Sequence, residues 1–369
     1  MSPARGATRR GVRGATAGTA LAAGLAACGA PQPPEPARRE PTRRWRMATT
    51  WPAGFPGLGE GARWLGEAIT EASGGQLQVE VAPAGVAVPT FDVFDAVARG
   101  TVEMGHAASW YWMEKAAAMP LFTAVPFGLD AEETLAWLHQ GEGLALWREL
   151  YAHFGLMVLP AGNTGMHMAG WSRRQIRSLA DLQGLRIRMP GLGGQVMARA
   201  GAQVVPTAGA QLVEALERGR LDAAEWMGPY NDLEFGLEGA AGFYYFPGWQ
   251  KPQMTAECLV NLDAWNALPE HLQRLVALCC RALDAGMLAH YAVRNQEALD
   301  RIVRAARAEL RRLPEDVLVA LQRAAEQELG DLAAADPFAR RVIESQRAFR
   351  ARGADWRTVS AEAYAAARG

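Results

Sequence analysis

The chain has 369 residues, half of them hydrophobic by type, with 39 Gly, 21 Pro and a net charge of −1. That is enough to bury more than one core and suits two lobes. Residues 1–44 hold eight Arg against two Glu, so the remainder carries about −7 by difference, and a mildly acidic body argues against a nucleic-acid partner. Beyond the first thirty residues no run of 18 apolar residues lacks a charge, which argues against a spanning helix there. Lysine occurs only at Lys115 and Lys251, against 36 Arg, and this reads as compositional bias. Cys28, Cys258, Cys279 and Cys280 show neither CxxC nor zinc spacing, so neither a disulfide nor a metal–thiolate site is expected.

The N-terminus reads as an address. Thr8-Arg9-Arg10-Gly11 opens a basic region, a weakly apolar run follows, and it ends Leu25-Ala26-Ala27-Cys28-Gly29. Residues 1–28 are therefore expected to be a signal peptide. The Leu-Ala-Ala-Cys order resembles a lipobox, which would place a lipid anchor on Cys28, and the paired arginines resemble a twin-arginine signal. A signal cut at an Ala-rich site is the alternative; both routes export the chain, with the periplasm as its expected location. Residues 29–44, rich in Pro, Arg and Glu, cannot build a core and read as a flexible tether.

From residue 45 short apolar runs alternate with helical patterns. Strands are expected at 45–50, 77–82 and 102–107, with helices at 59–73 and at 90–99, the latter N-capped by Thr90. A second block gives strands at 156–160, 165–171, 185–189, 203–206 and 221–226, with helices at 193–200 and 209–218. Residues 269–310 read as one or two long amphipathic helices, with Leu272, Leu275, Val276, Cys279, Leu283 and Met287 at helical spacing. Helices at 314–332 and 337–352 follow. The alternation predicts an α/β fold with parallel strands and a ligand in the crevice between two lobes. Hydrolase, zinc-protease and P-loop motifs are absent from the sequence, Gly57-Leu58-Gly59-Glu60-Gly61 reads as a turn, and none of the six histidines makes an i, i+4 pair.

Several segments together resemble the solute-binding subunits of tripartite ATP-independent periplasmic (TRAP) transporters, in the branch that binds 2-oxo and 2-hydroxy monocarboxylates. They are residues 105–112 (GHAASWYW), 122–128 (FTAVPFG), 162–165 (GNTG), 182–194 (LQGLRIRMPGLGG), 221–232 (LDAAEWMGPYND) and 244–249 (YYFPGW). The resemblance runs from Trp45 to near the C-terminus. It implies a two-lobed, periplasmic-binding-protein-like α/β fold with long C-terminal helices. Lobe I would comprise residues 45–160 with part of 255–310, lobe II 161–254, and residues 255–369 a returning strand and the long helices. It also implies a receptor rather than an enzyme, delivering its ligand to membrane permease subunits, and a homodimer held by the long helices.

Arg188 ends a strand just before Pro190. A guanidinium there can fork onto a carboxylate or pair with a surface acid; the resemblance implies the carboxylate clamp. Arg186 shares its strand parity and is expected to be structural or at the rim. The resemblance further implies that Glu225, the carbonyl of Trp226 and Glu257 hold a cation, sodium or calcium, bound together with the substrate. Asn163 and His167 lie on a strand crossing between lobes, and His167 stands where the resembling proteins carry a glutamine; an imidazole is a poorer ligand for such ions. Tyr111, between Trp110 and Trp112, is the aromatic expected to touch substrate. An exported enzyme with Arg188 orienting an acid and His167 or Glu225 as base, or a solute sensor, are the alternatives. Pyruvate and lactate are representative ligands.

Overall fold

The computed structural model describes residues 42–305 and 308–368. The residues read as a signal peptide, Cys28 and the expected tether up to residue 41 lie outside the described residues; Arg43 and Arg44, read as the end of that tether, instead begin a strand. Eleven strands occur in chain order: β1 (Arg43–Thr49), β2 (Leu77–Ala82), β3 (Met104–Ala107), β4 (Leu156–Asn163), β5 (Gly170–Ser172) and β6 (Arg186–Arg188). They continue with β7 (Gln203–Val204), β8 (Ala223–Ala224), β9 (Phe243–Phe246), β10 (Thr255–Asn261) and β11 (Glu309–Arg312). One sheet has the order β2-β1-β3-β10-β4 and the other β11-β9-β5-β8-β6-β7.

The first sheet is not wholly parallel. β1 runs parallel to β2 and β3, but β10 lies antiparallel between β3 and β4. The chain leaves this sheet after β4, builds most of the second sheet and returns as β10, so the returning strand enters with reversed direction. Six of the seven residues of β10 are buried, as a central strand covered on both faces requires. In the second sheet β5 is likewise antiparallel to β8 and β9.

Several local readings are corrected by the backbone. The strand expected at 165–171 is only Gly170–Ser172, because Gly165 (φ 67°) and Gly170 (φ 124°) take the chain out of the β region. Between them His167 N–H donates to the Lys251 carbonyl (3.2 Å) and Met168 N–H to the Met227 carbonyl (2.9 Å). Thr90 does not cap a helix with its side chain; it opens a 3₁₀ turn, Thr90–Asp92, ahead of the helix Val93–Ala98. The helices Ala131–Gln140 and Gly143–Ala152 were not foreseen, although the first carries a reciprocal cap between Asp130 and Glu133, with both bonds at 3.0 Å.

One continuous helix of 35 residues, Glu270–Arg304, occupies most of the stretch read as amphipathic; the chain then turns into β11 beside β9. Leu272, Val276, Cys279, Leu283 and Met287 are buried along it. By length and composition this helix could cross a bilayer, but those side chains pack with Leu65, Ile69 and Ala161 in the core of the first sheet. Farther along, Ile302 joins the core of the second sheet with Trp171 and Tyr244.

The two crossing segments are in close contact. A Cβ added at Gly248 would lie 2.0 Å from the His167 carbonyl oxygen, a backbone atom that cannot step aside cheaply. Gly248→Ala is therefore expected to lower the unfolding free energy by about 2–3 kcal/mol. Gly286, in the long helix with nothing within 4 Å of its added Cβ, gives the opposite sign: Gly286→Ala should gain roughly 0.5–1 kcal/mol. Urea unfolding midpoints of the two variants check both signs; an unchanged midpoint for Gly248→Ala would mean that the crossing segments separate freely.

Candidate functional site

A cavity of about 540 Å³ opens between elements of the two sheets. Trp51, Phe55, Trp110 and Tyr111 line it from the first, Arg188 and Trp226 from the second. Its walls are largely apolar, with a few charged and polar groups converging at one end, the usual make-up of a small-molecule site.

Arg188 is the last residue of β6, and Pro190 and Gly191 start the helix Gly191–Arg199 directly after it. Its side chain is 16% exposed. Nη1 donates to the Glu225 backbone carbonyl at 2.7 Å, and the guanidinium lies over the Trp226 ring at 5.1 Å. Among the described residues that carbonyl is its one hydrogen-bond partner, which leaves most of the planar fork facing the cleft. Arg186 behaves differently: Nε and Nη2 engage both oxygens of Asp222 at 3.0 and 2.8 Å at the surface.

Glu225 follows β8 and is wholly buried. Both of its carboxylate oxygens accept from the Lys251 ammonium, at 2.9 and 3.1 Å. His167 Nδ1 stands 3.7 Å away, longer than a hydrogen bond, and Arg188 4.0 Å away. Burial alone would raise the Glu225 pKa; the Lys251 charge first, then His167 and Arg188, outweigh it and hold the carboxyl at about 2. Burial pulls Lys251 below the usual lysine range although Glu225 opposes the shift. Burial also lowers the His167 pKa, against the pull of Glu225, and Nε2 shares a 2.8 Å bond with the Thr164 hydroxyl. The Lys251 ammonium is packed 4.7 Å from the centre of the Trp110 ring.

The structure thus brings together Arg188, Glu225, Trp226 and His167, with Tyr111 on the facing wall. It does not bring Asn163 or Glu257 to the cleft. Asn163 fixes the crossing strand instead, its Nδ2 donating to Gln253 (3.0 Å) and its Oδ1 accepting from Gly165 N–H (2.8 Å). Glu257 projects from β10 into the first sheet's core, where Trp112 Nε1 and the Tyr151 hydroxyl each donate to one of its oxygens at 2.6 Å. Burial raises its pKa to about 7. The residue that sequence reasoning missed is Lys251; the signal was its rarity, one of two lysines beside 36 Arg.

This donor set suits a hard cation poorly. Glu225 already carries an ammonium on both oxygens, Glu257 is engaged elsewhere, and His167 offers nitrogen where sodium or calcium prefers oxygen. Among the described residues no group of three His, Cys, Asp or Glu is placed to hold a metal ion. What the site does offer is positive charge. Arg188 and Lys251 stand against one ionised Glu225, a surplus of +1. The next buried acid, Asp232, is bonded by Trp171 Nε1 (2.9 Å), the Tyr244 hydroxyl (2.7 Å) and Met227 N–H (3.0 Å). Burial raises its pKa to about 7, so below that pH it is mostly neutral.

The two-sheet fold is shared with known receptors. The profile described as bacterial extracellular solute-binding protein, family 7, matches residues 47–336. This chain belongs to that family. It is 40% identical over 324 residues, 88% of each chain, to a monocarboxylate 2-oxoacid-binding periplasmic protein of Nostoc sp.. A TRAP transporter solute-binding protein from Bordetella bronchiseptica superposes with a TM-score of 0.84 at 34% identity, covering 89% of this chain and 97% of that one. It was crystallised as a mixed-occupancy dimer with copurified calcium and picolinate in one site. One from Pseudoalteromonas atlantica, with bound sodium and pyruvate, gives a TM-score of 0.82 at 34% identity over 87% and 98% of the two chains. This family 7 protein is a TRAP-type extracytoplasmic solute-binding receptor.

The placement of Glu257 has a measurable consequence. A carboxyl raised to about 7 in the folded state, against an ordinary value near 4.5, binds its proton more tightly when folded. Its contribution is therefore full below about 4.5 and is lost as pH rises through 7. Glu257→Gln should remove that part of the slope, of order 1–3 kcal/mol between those limits, and leave ligand affinity within about threefold. Chemical unfolding at pH 5 and pH 8, beside a ligand titration, checks both; a large loss of affinity would return Glu257 to the binding site.

Proposed function

We propose that this receptor captures a 2-oxo or 2-hydroxy monocarboxylate in the Arg188 cleft and hands it, unchanged, to the membrane permease of its TRAP system. The observation that carries this reading is the surplus of one positive charge in a buried site: a single carboxylate makes it neutral, whereas an amine or a sugar does not. The Arg188 fork, backed by Trp226, takes the carboxylate as two parallel hydrogen bonds. Tyr111, together with Trp51, Trp110 and Phe55, walls the rest of the ligand, and this apolar lining favours the chain or ring of a 2-oxoacid over a second charge. His167 and Asn163 support the site from behind the cleft.

Lobe I, residues 45–160 with the returning strand, and lobe II, residues 161–254, would close on the ligand and exclude water. Nothing in this arrangement calls for turnover: the His167 ring faces Glu225 and does not line the cavity, so it is not aimed at a bound acid. The lipid anchor at Cys28 and a homodimer belong to the same reading. The dimer is supported by the exposed Leu278 and Val293 on the long helix and by the dimeric Bordetella neighbour.

Thermal unfolding against a panel of pyruvate, lactate, branched 2-oxoacids, succinate, alanine and glucose tests the ligand class. Ligand at a hundredfold its Kd adds about 2.7 kcal/mol of stability, a shift of several degrees. Pyruvate, lactate and the branched 2-oxoacids should give it; the dicarboxylate succinate, the zwitterion alanine and glucose should not. Arg188→Ala should weaken binding at least a hundredfold, and Arg188→Lys nearly as much, because an ammonium cannot fork. Ligand recovered chemically altered would overturn the receptor reading in favour of an enzyme.

A further inference from the structure

We infer that the Lys251 ammonium stands where the structural neighbours use a metal ion, so that this receptor takes up its 2-oxoacid without one. The inference rests on the ligand class proposed above and goes further, since it concerns what balances the charge around that ligand.

The argument starts from Glu225. A wholly buried carboxylate needs a cation, and in the Bordetella and Pseudoalteromonas proteins calcium or sodium accompanies the bound acid. Here a covalently attached cation is in contact with both Glu225 oxygens, at 2.9 and 3.1 Å. A metal ion seeking those oxygens would meet the ammonium first and be repelled by it. Arg188, only 4.0 Å from the same carboxylate, adds to the repulsion.

The side-chain chemistry fits the substitution. An ammonium is a compact point charge with three tetrahedral donors, closer to a small cation than a planar guanidinium is. Two of the Lys251 donors are spent on Glu225, and Lys251 also lines the cleft, so the third can reach an oxygen of the ligand. The aromatic face of Trp110 holds the ammonium from one side. His167 completes the change: its ring nitrogen, 3.7 Å from Glu225, is a poor ligand for calcium. The charges also close. Glu225 and Lys251 cancel, Arg188 and the ligand carboxylate cancel, and an added sodium or calcium would leave a buried excess of one or two.

The test uses the exported receptor in potassium buffer free of sodium, with a chelator of divalent ions. Pyruvate and a branched 2-oxoacid are titrated by calorimetry with chelator, with calcium and with sodium, and bound metal is counted by mass spectrometry. Equal Kd within twofold in all three conditions, and fewer than about 0.1 metal ions per chain, are expected. A tenfold or greater loss of affinity on metal removal, restored by calcium, would overturn the inference. Lys251→Met should bind the acid at least a hundredfold more weakly in chelator and regain tenfold or more on adding calcium or sodium. Lys251→Met with Glu225→Gln should show no such rescue. Wild-type affinity in Lys251→Met with chelator present would equally sink the inference. Calcium alone is titrated in parallel, read by thermal unfolding: no shift for the wild-type receptor supports the inference whatever its ligand, and a saturable shift contradicts it. If no 2-oxoacid binds in any ion while calcium alone still gives no shift, the ligand class has failed and the exclusion of metal has not.

Discussion

Burying Glu225 with none of its surface exposed would cost several kcal/mol if the carboxylate stood alone. Much of the binding face is arranged around avoiding that cost. Lys251 reaches it from the segment after β9, Arg188 approaches from the end of β6, and His167 comes from the crossing segment before β5. Three separate pieces of chain therefore converge on one side chain. The aromatic groups of the cleft then sort themselves by which cation they cover: Trp226 lies under Arg188, and Trp110 under Lys251. Removing the carboxylate would leave two like charges facing each other; removing the ammonium would strand the carboxylate.

Much of this was legible in the sequence, and the boundary of legibility has physical causes. Arg188 announces itself because a strand that meets Pro190 and Gly191 must release its last side chain at an edge. Its neighbour in parity, Arg186, could be set aside in advance, and its bidentate contact with Asp222 shows why. Glu225 and Trp226 were singled out by the resemblance, and both lie just beyond the end of β8. Length and the alternation of patterns pointed to two α/β lobes, and helical spacing to one or two long C-terminal helices.

What did not follow are the long-range partnerships. The resemblance makes Glu257 a ligand, as an acid on a later strand. Which face of β10 it occupies is decided by Trp112 and Tyr151, 145 and 106 residues away in the chain. No local pattern carries that information. Lys251 is the converse case: its rarity was visible, but rarity has no direction, and only the fold shows that the ammonium points inward at an acid. The helices Ala131–Gln140 and Gly143–Ala152 were missed although the cap that opens the first is plain in the sequence, because a Gly-Glu-Gly break separates two short segments and blurs their period.

The helix Glu270–Arg304 carries a mechanical implication. Its first half is embedded in the core of the first sheet, its far end reaches Ile302 in the core of the second, and between them Asn295 Oδ1 accepts from Tyr230 N–H at 3.0 Å. A single stiff rod therefore backs both halves of the molecule. Flexible crossings alone would let the halves twist, slide and splay; a rod seated in both leaves chiefly one coordinate, a swing about its own seat. In the proposed closure the receptor would then search an arc rather than a volume for its closed form. Little of the affinity for a ligand as small as a 2-oxoacid is consumed in finding it.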